Sequence, residues 1–307
     1  MIIHFDNVDF SSRTGPNTFA QRLYTSLTEL GHTLVNEGQS AEVSLVFIEP
    51  SGKPLAKNVV QRLDGIWFKP EEFETKNKRI KNLYQNADHV IWQSLFDKTM
   101  SEKWWRSPKN GSVVRNGISS MNEETDPILQ KKLEDLKVRH EKIFICSANW
   151  HPQKRLSDNL KLYENLKKLY PTSCLIVMGN NANITGKDVY VTGNLSHKHC
   201  IQIFRSSDWM IHLAWLDHCP NTVVEALSCN VPVICSEDGG TKEIVGEFGI
   251  ILREKKKYQF DLANYDDPPS LDLDQLIQLP EKKSLGQHRV LDMSQVSQNY
   301  LDIFSSL

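Results

Sequence analysis

The sequence has no stretch approaching the roughly 18 consecutive apolar residues of a membrane-spanning helix. Its first residues, MIIHFDNVDF, lack the basic start and long apolar centre of a secretion signal. The expectation is a cytoplasmic protein whose membrane contact is at most peripheral. Net charge is nearly absent as well: 36 Lys and Arg against 38 Asp and Glu leave -2. No global field therefore draws the chain to nucleic acid or anionic lipid, and any anion must be met by a local site. Six cysteines include no C-x-x-C pair, and they sit mostly in apolar runs such as IFIC and PVIC. Buried reduced thiols are expected rather than a disulfide framework. The G-x-G-x-x-G run of a dinucleotide-dependent dehydrogenase is missing too, since SSRTGPN supplies a single glycine after the first apolar run.

What remains is a globular chain of 307 residues, longer than one hydrophobic core ordinarily serves, so two lobes are expected. Short β-branched runs alternate with amphipathic segments. Strands are expected at Ile2 to Phe5, Val43 to Ile48, Val59 to Leu63, His89 to Trp92, Val113 to Val114, Ile143 to Ser147, Cys174 to Met178, Val189 to Thr192, Trp209 to Leu213 and Val231 to Cys235. The clearest early helix carries Ala20, Leu23, Leu27 and Leu30 on one stripe, with Asn17 or Thr18 as its cap and Gly31 as its stop. Strands alternating with helices imply right-handed βαβ units, hence an α/β fold with largely parallel sheets. The polar run 119–141 is expected to link a lobe over 1–118 to a second over 142–290, and 291–307 reads as a closing helix striped by Val296, Tyr300, Ile303 and Phe304. A second irregular stretch spans 265–280.

The segment LAWLDHCPNTVVEALSCNVPVICSEDGGTKEIV holds the most chemistry. A strand leads to Asp217, and Pro220 suits a first helical position because its missing N–H is not needed there. Asn221 and Thr222 then fall in the first turn, where backbone N–H groups and the positive end of the helix dipole favour an anion such as phosphate. Asp217 and Glu225, in D-x7-E spacing, are suited to accept hydrogen bonds from sugar hydroxyls on either side of that phosphate. The alternative is that Asp217 caps the helix and Glu225 lies on a solvated face.

The D-x7-E spacing followed by ALSCNVPVICSEDGG and Glu243 resembles the E-x7-E signature of family 4 glycosyltransferases of the GT-B fold, with Asp217 in place of the first glutamate. SANWHPQKRL resembles that family's phosphate-contacting loop, VYVTGNLSHKHCIQIFRSSDWMIHLA its base-contacting strand and following helix, and VVRNGI its motif before the interlobe crossing. The resemblance implies two Rossmann-like lobes facing across a cleft, with the closing helix returning to the N-terminal, acceptor-side lobe. It implies retaining transfer of a hexose from a nucleoside diphosphate sugar to a glycan, lipid-linked or other hydroxyl acceptor, with no cofactor and no metal. Glu225 would take the ribose, Asp217 the hexose hydroxyls, Asn221 and Thr222 the diphosphate, and Lys154, assisted by Arg155, its departing charge. Base contacts would run through the backbone around Asn194, and Gly15 would lie in the glycine-bearing loop after the first strand.

The departures are as specific as the matches. Asn149 stands where the family usually has an arginine, and the family's histidine after a central strand has no clear counterpart; VVQRLDGI offers Asp64 there, which a turn before glycine would also explain. A non-catalytic module that binds sugar nucleotide or glycan is the rival reading. The run HKHC, with His197, His199 and Cys200, is read as a solvated helix start rather than a metal cluster, and adjacent His218 and Cys219 as packing rather than a nucleophilic pair.

Overall fold

A computed structural model of the chain describes residues 1–12, 14–119, 124–273 and 277–307. It divides into two compact units, one of residues 1–120, 259–264 and 291–307, the other of 121–258 and 265–290.

The first unit runs β1 (Ile2–Asp6), α1 (Gly15–Glu29), β2 (Thr33–Val35), β3 (Val43–Phe47), β4 (Asn58–Leu63), α2 (Phe73–Asn86), β5 (His89–Trp92), α3 (Leu95–Trp105), β6 (Gly111–Val113) and β7 (Gly117–Ile118). Its main sheet has the order β2-β1-β3-β4-β5-β6 and every pairing is parallel. Helix α1 is capped three residues before Asn17 and four before Thr18, the expected caps: Thr14 is the N-cap and Pro16 supplies the preset first turn. Phe19, Ala20, Leu23 and Leu27 are buried against the sheet, whereas Leu30 ends the helix exposed. Strands β2 and β7 were not expected, because three and two residues carry no readable period.

The second unit follows as α4 (Pro127–Arg139), β8 (Ile143–Ser147), α5 (Leu156–Leu169), β9 (Cys174–Met178), β10 (Val189–Gly193), α6 (His197–Arg205), β11 (Trp209–His212), α7 (Asn221–Ser228), β12 (Val233–Ser236), α8 (Thr241–Val245) and β13 (Gly249–Leu252). Its parallel sheet has the order β10-β9-β8-β11-β12-β13. Counted within the unit this is 3-2-1-4-5-6, the doubly wound order of nucleotide-binding folds. Strands β8, β9, β11 and β12 are buried throughout, which is why they read as continuous apolar runs rather than alternations.

The run expected as an interlobe linker is largely helical: α4 is capped by Asp126, whose carboxylate accepts from Ile128 and Leu129, and it buries Leu133 and Leu136. Its charged faces hid a narrow two-residue apolar stripe. Residues 120–123 of that run, and 274–276 of the irregular stretch, lie outside the described residues.

The second lobe is also not continuous to residue 290, because residues 259–264 belong to the first unit. They are held there by Lys103, which donates to the Gln259 carbonyl (2.8 Å) and to Asp261 (2.6 Å), and by Trp104 Nε1, which donates to the Phe260 carbonyl (3.0 Å). The chain returns once more as β14 (Leu291–Asp292), paired parallel with β7, and α9 (Met293–Ser305). Asp292 and Gln295 form a capping box that starts α9. Met293, Val296, Tyr300, Leu301, Ile303 and Phe304 then join the α1 side of the first core.

Candidate functional site

In a doubly wound sheet, loops leaving neighbouring strands diverge where the strand order reverses, and the crevice at those carboxyl ends is the usual ligand site. In the second unit this point lies between β8 and β11. The loop after β8 and the loop after β11 are tied together there, with Trp215 N donating to the Gln153 carbonyl at 2.8 Å. The β8 loop is also anchored sideways. Trp150 donates from its backbone to the Asn180 carbonyl (3.2 Å) and from Nε1 to the Met178 carbonyl (3.0 Å). Gly179 follows β9 at φ +104, and a Cβ there would meet the Ala148 carbonyl oxygen at 1.8 Å, so only glycine permits this approach.

The two loops bring Lys154 and Asp217 together. Lys154 ends a 3₁₀ turn over Pro152–Lys154, and its Nζ lies 2.5 Å from Asp217 Oδ2, with side-chain exposures of 19% and 14%. The same oxygen is 3.2 Å from His212 Nε2 at the end of β11. Burial opposes the charge on Asp217, but the Lys154 charge and the His212 hydrogen bond outweigh it and hold the carboxyl well below the usual carboxylate range. Burial pushes the His212 pKa down against the pull of Asp217, so the ring is neutral near pH 7. A carboxylate only accepts, hence Nε2 carries the proton and donates. His218, the next residue after Asp217, is pushed down to about 4, chiefly by burial; the pull of the Asp217 carboxylate opposes this and the Lys154 charge adds to it. The Asp217 backbone is fixed as well, since Gly240 N donates to its carbonyl (2.7 Å) and it forms a parallel bridge with Gly239, at φ +128.

Helix α7 begins beside this pair. Pro220 is its N-cap rather than its first residue, and no side chain caps it, so Asp217 is not a cap. Asn221 and Thr222 form the first turn, at the positive end of the dipole. Thr222 Oγ1 donates to the Ser147 carbonyl at 3.4 Å, which ties α7 to the end of β8. Glu225 does not lie on a solvated face: it is buried, and its Oε1 is 3.5 Å from His197 Nε2 on α6.

The remaining sequence-derived residues fall in different places. Asn149 is exposed on the β8 loop and accepts from Asn181 Nδ2 at 3.4 Å; Asn194 is exposed just past β10, the edge strand. Arg155 is a correction. Its guanidinium does not project from the loop but is buried, donating to Glu254 Oε1 (2.7 Å) and Oε2 (3.0 Å) and to the Pro269 carbonyl (2.6 Å). Gly15 and Asp64 belong to the first unit: Gly15 opens α1, and Asp64 is ion-paired with buried Arg62, which also donates to Asn116 Oδ1 at 2.7 Å.

Sequence reasoning missed His212, His197 and Glu254. The signal for His212 was a lone polar residue at the end of an apolar strand, five before Asp217. Nothing local marks Glu254, whose partner lies 99 residues away. The HKHC run is not simply solvated: His197 turns to Glu225 and His199 Nε2 lies 3.2 Å from Asp126 Oδ2. Among the described residues no group of three or more His, Cys, Asp or Glu side chains is placed to hold a metal ion.

Fold and site together define a chain of two Rossmann-like units, the α/β architecture called GT-B, with a polar cluster at the switch point of the second sheet. Residues 130–261, nearly all of them in the second unit, match the family Glycosyl transferases group 1. An uncharacterised glycosyltransferase of Methanocaldococcus jannaschii is 26% identical over 184 residues, covering 54% of this chain and 44% of that protein, so the match spans less than half of the relative's length. Among solved structures, the HepE protein of Anabaena, crystallised with UDP-glucose, superposes with TM-score 0.67 at 17% identity, covering all of both chains. Sucrose-phosphate synthase of Thermosynechococcus elongatus gives TM-score 0.64 at 12% identity, with 83% of this chain and 86% of that one covered. No helix among the described residues is long and apolar enough to cross a membrane.

Proposed function

We propose that the chain is a glycosyltransferase that moves a hexose from a nucleoside diphosphate sugar to a hydroxyl acceptor, with retention of configuration and without a metal ion. The observation that carries this reading is the contact between Lys154 and Asp217 beside the uncapped start of α7 at the switch point of the second sheet. An ammonium group has three N–H donors and Asp217 engages one, which leaves two to meet phosphate oxygens. The first turn of α7 adds backbone N–H groups to the same anion.

Asp217, fixed in its ionised form by Lys154 and His212, presents a carboxylate to hexose hydroxyls, and buried Glu225 presents another to the ribose. In the reaction the bond between the sugar's anomeric carbon and the phosphate oxygen breaks, and the acceptor oxygen bonds to that carbon on the same face. The acceptor proton passes to the departing phosphate, whose growing charge Lys154 and the helix N-terminus stabilise more strongly than in the ground state. A cytoplasmic setting accords with six cysteines that are all free thiols.

The replacement of the expected arginine by exposed Asn149 favours a second reading, a module that binds sugar nucleotide without turning it over. Release of nucleoside diphosphate from uridine, guanosine, adenosine and thymidine donors, with and without acceptor extracts, separates the two. UDP-glucose, the ligand in the HepE crystals, is the first donor to try. Turnover supports the enzyme; a saturable thermal shift with no turnover of any donor supports the binding module.

A further inference from the structure

Lys154 is followed by a residue in an unusual state. Arg155 adopts φ +50 and ψ +51, the left-handed conformation that glycine takes freely and a long side chain takes only when its surroundings impose it. What imposes it is visible. The guanidinium is 1% exposed and Glu254, its bidentate partner, 0%. Arg155 also donates to the carbonyls of Leu213 (3.4 Å) and Pro269 (2.6 Å), and lies over the Trp215 ring at 6.0 Å.

Glu254 is fixed in turn, because its backbone N donates to Glu237 Oε1 at 2.8 Å and it bridges antiparallel to Leu271. Helix α5 starts directly from Arg155, and Asn159 Nδ2 donates to the carbonyls of both Lys154 (3.1 Å) and Arg155 (2.7 Å). The lysine at the site thus stands between a short 3₁₀ turn and a residue whose backbone is forced by a buried ion pair.

We propose that Arg155 and Glu254 are positioning residues for Lys154: their ion pair holds the left-handed turn that aims the Lys154 ammonium at the donor site, and the segment around Pro269 to Leu271 braces it. The pair acts through the lysine and does not touch the donor. A simple glycine at residue 155 would permit the same turn without fixing it. The consequence for catalysis rests on the glycosyl-transfer reading; the consequence for Lys154 itself does not.

Two variants test it. Glu254→Gln keeps the shape and one hydrogen bond. The double variant Arg155→Gly with Glu254→Leu removes both charges of the buried pair and leaves without Arg155 only Asp158, which lies 3.8 Å from its Nε and is partly exposed, so folding is preserved. The first readout is the NMR signal of Lys154 after reductive ¹³C-methylation of the lysines, assigned with Lys154→Arg. In the parent it should stand apart from the exposed lysines because of Asp217; in both variants it should move towards them while His212 and the fold stay in place.

The second readout is turnover. The double variant should lower kcat about tenfold with the nucleoside diphosphate Kd within twofold, and should change nothing further in a Lys154→Met background. A Lys154 signal that stays put in both variants, or a rate loss that is equally large without Lys154, overturns the proposal. A signal that moves in a protein that turns over no donor leaves the positioning role standing and removes the glycosyl-transfer reading.

Discussion

Lys154 Nζ and Asp217 Oδ2 lie 2.5 Å apart although their residues sit on loops of different strands, 63 residues apart in the chain. A cation this close to a carboxylate is already paid for in electrostatic terms before any phosphate arrives, and both groups are held ready. Replacing Lys154 by methionine should therefore cost more in the transition state, where phosphate charge grows, than in donor binding. The expected loss in turnover is on the order of 10²-fold or more, against a smaller loss in donor affinity. Nucleoside diphosphate release and donor titration on the same preparations measure the two. Equal losses in both would show that Lys154 serves binding alone.

Glu225→Ala should weaken nucleoside diphosphate binding by about 1–3 kcal/mol, as two ribose hydroxyls lose a charged acceptor. Isothermal titration gives the number. Unchanged affinity in a folded variant would remove Glu225 from the ribose site and leave its contact with His197 as a structural one.

Stability should fall with acid through His218. Its pKa is lowered from 6.5 to about 4 in the folded chain, so the unfolded chain takes up a proton first as pH drops. The stabilisation is complete above about pH 6.5 and declines as pH falls towards the folded value. The full contribution is at most about 3 kcal/mol, and less because His218 is only partly buried. Melting temperatures between pH 7.5 and 4.5 should fall more steeply for the parent than for His218→Gln; identical slopes would refute the assignment.

Arg155→Ala should destabilise the chain by about 3–5 kcal/mol, because Glu254 is left buried without its partner. Adding Glu254→Leu should restore most of that loss, since removing both members of a buried pair is often near neutral. Urea unfolding of the three proteins decides it, and a double variant no more stable than Arg155→Ala would mean that the cost lies in the backbone turn.

Strands β8 and β9 were placed to the residue, because a sheet buried on both faces writes itself as unbroken apolar runs. Asn221 and Thr222 were readable in the first turn of α7 from Pro220 alone. Long-range pairings were not readable: Arg155 looks like a second loop cation until Glu254 is brought to it from the end of β13. Helix α4 was hidden by its charge, and residues 259–264 by side chains on α3 that hold them in the first unit.

Helix α9 packs Val296, Tyr300 and Phe304 into the core that α1 supplies with Phe19, Leu23 and Leu27. In synthesis, then, the unit begun first is finished last: its strands emerge early and wait with an open apolar flank until the whole second unit has been made. The α1 surface of a nascent chain is where a chaperone would find exposed Phe19 and Leu23, and a ribosome stalled before residue 293 would display that flank.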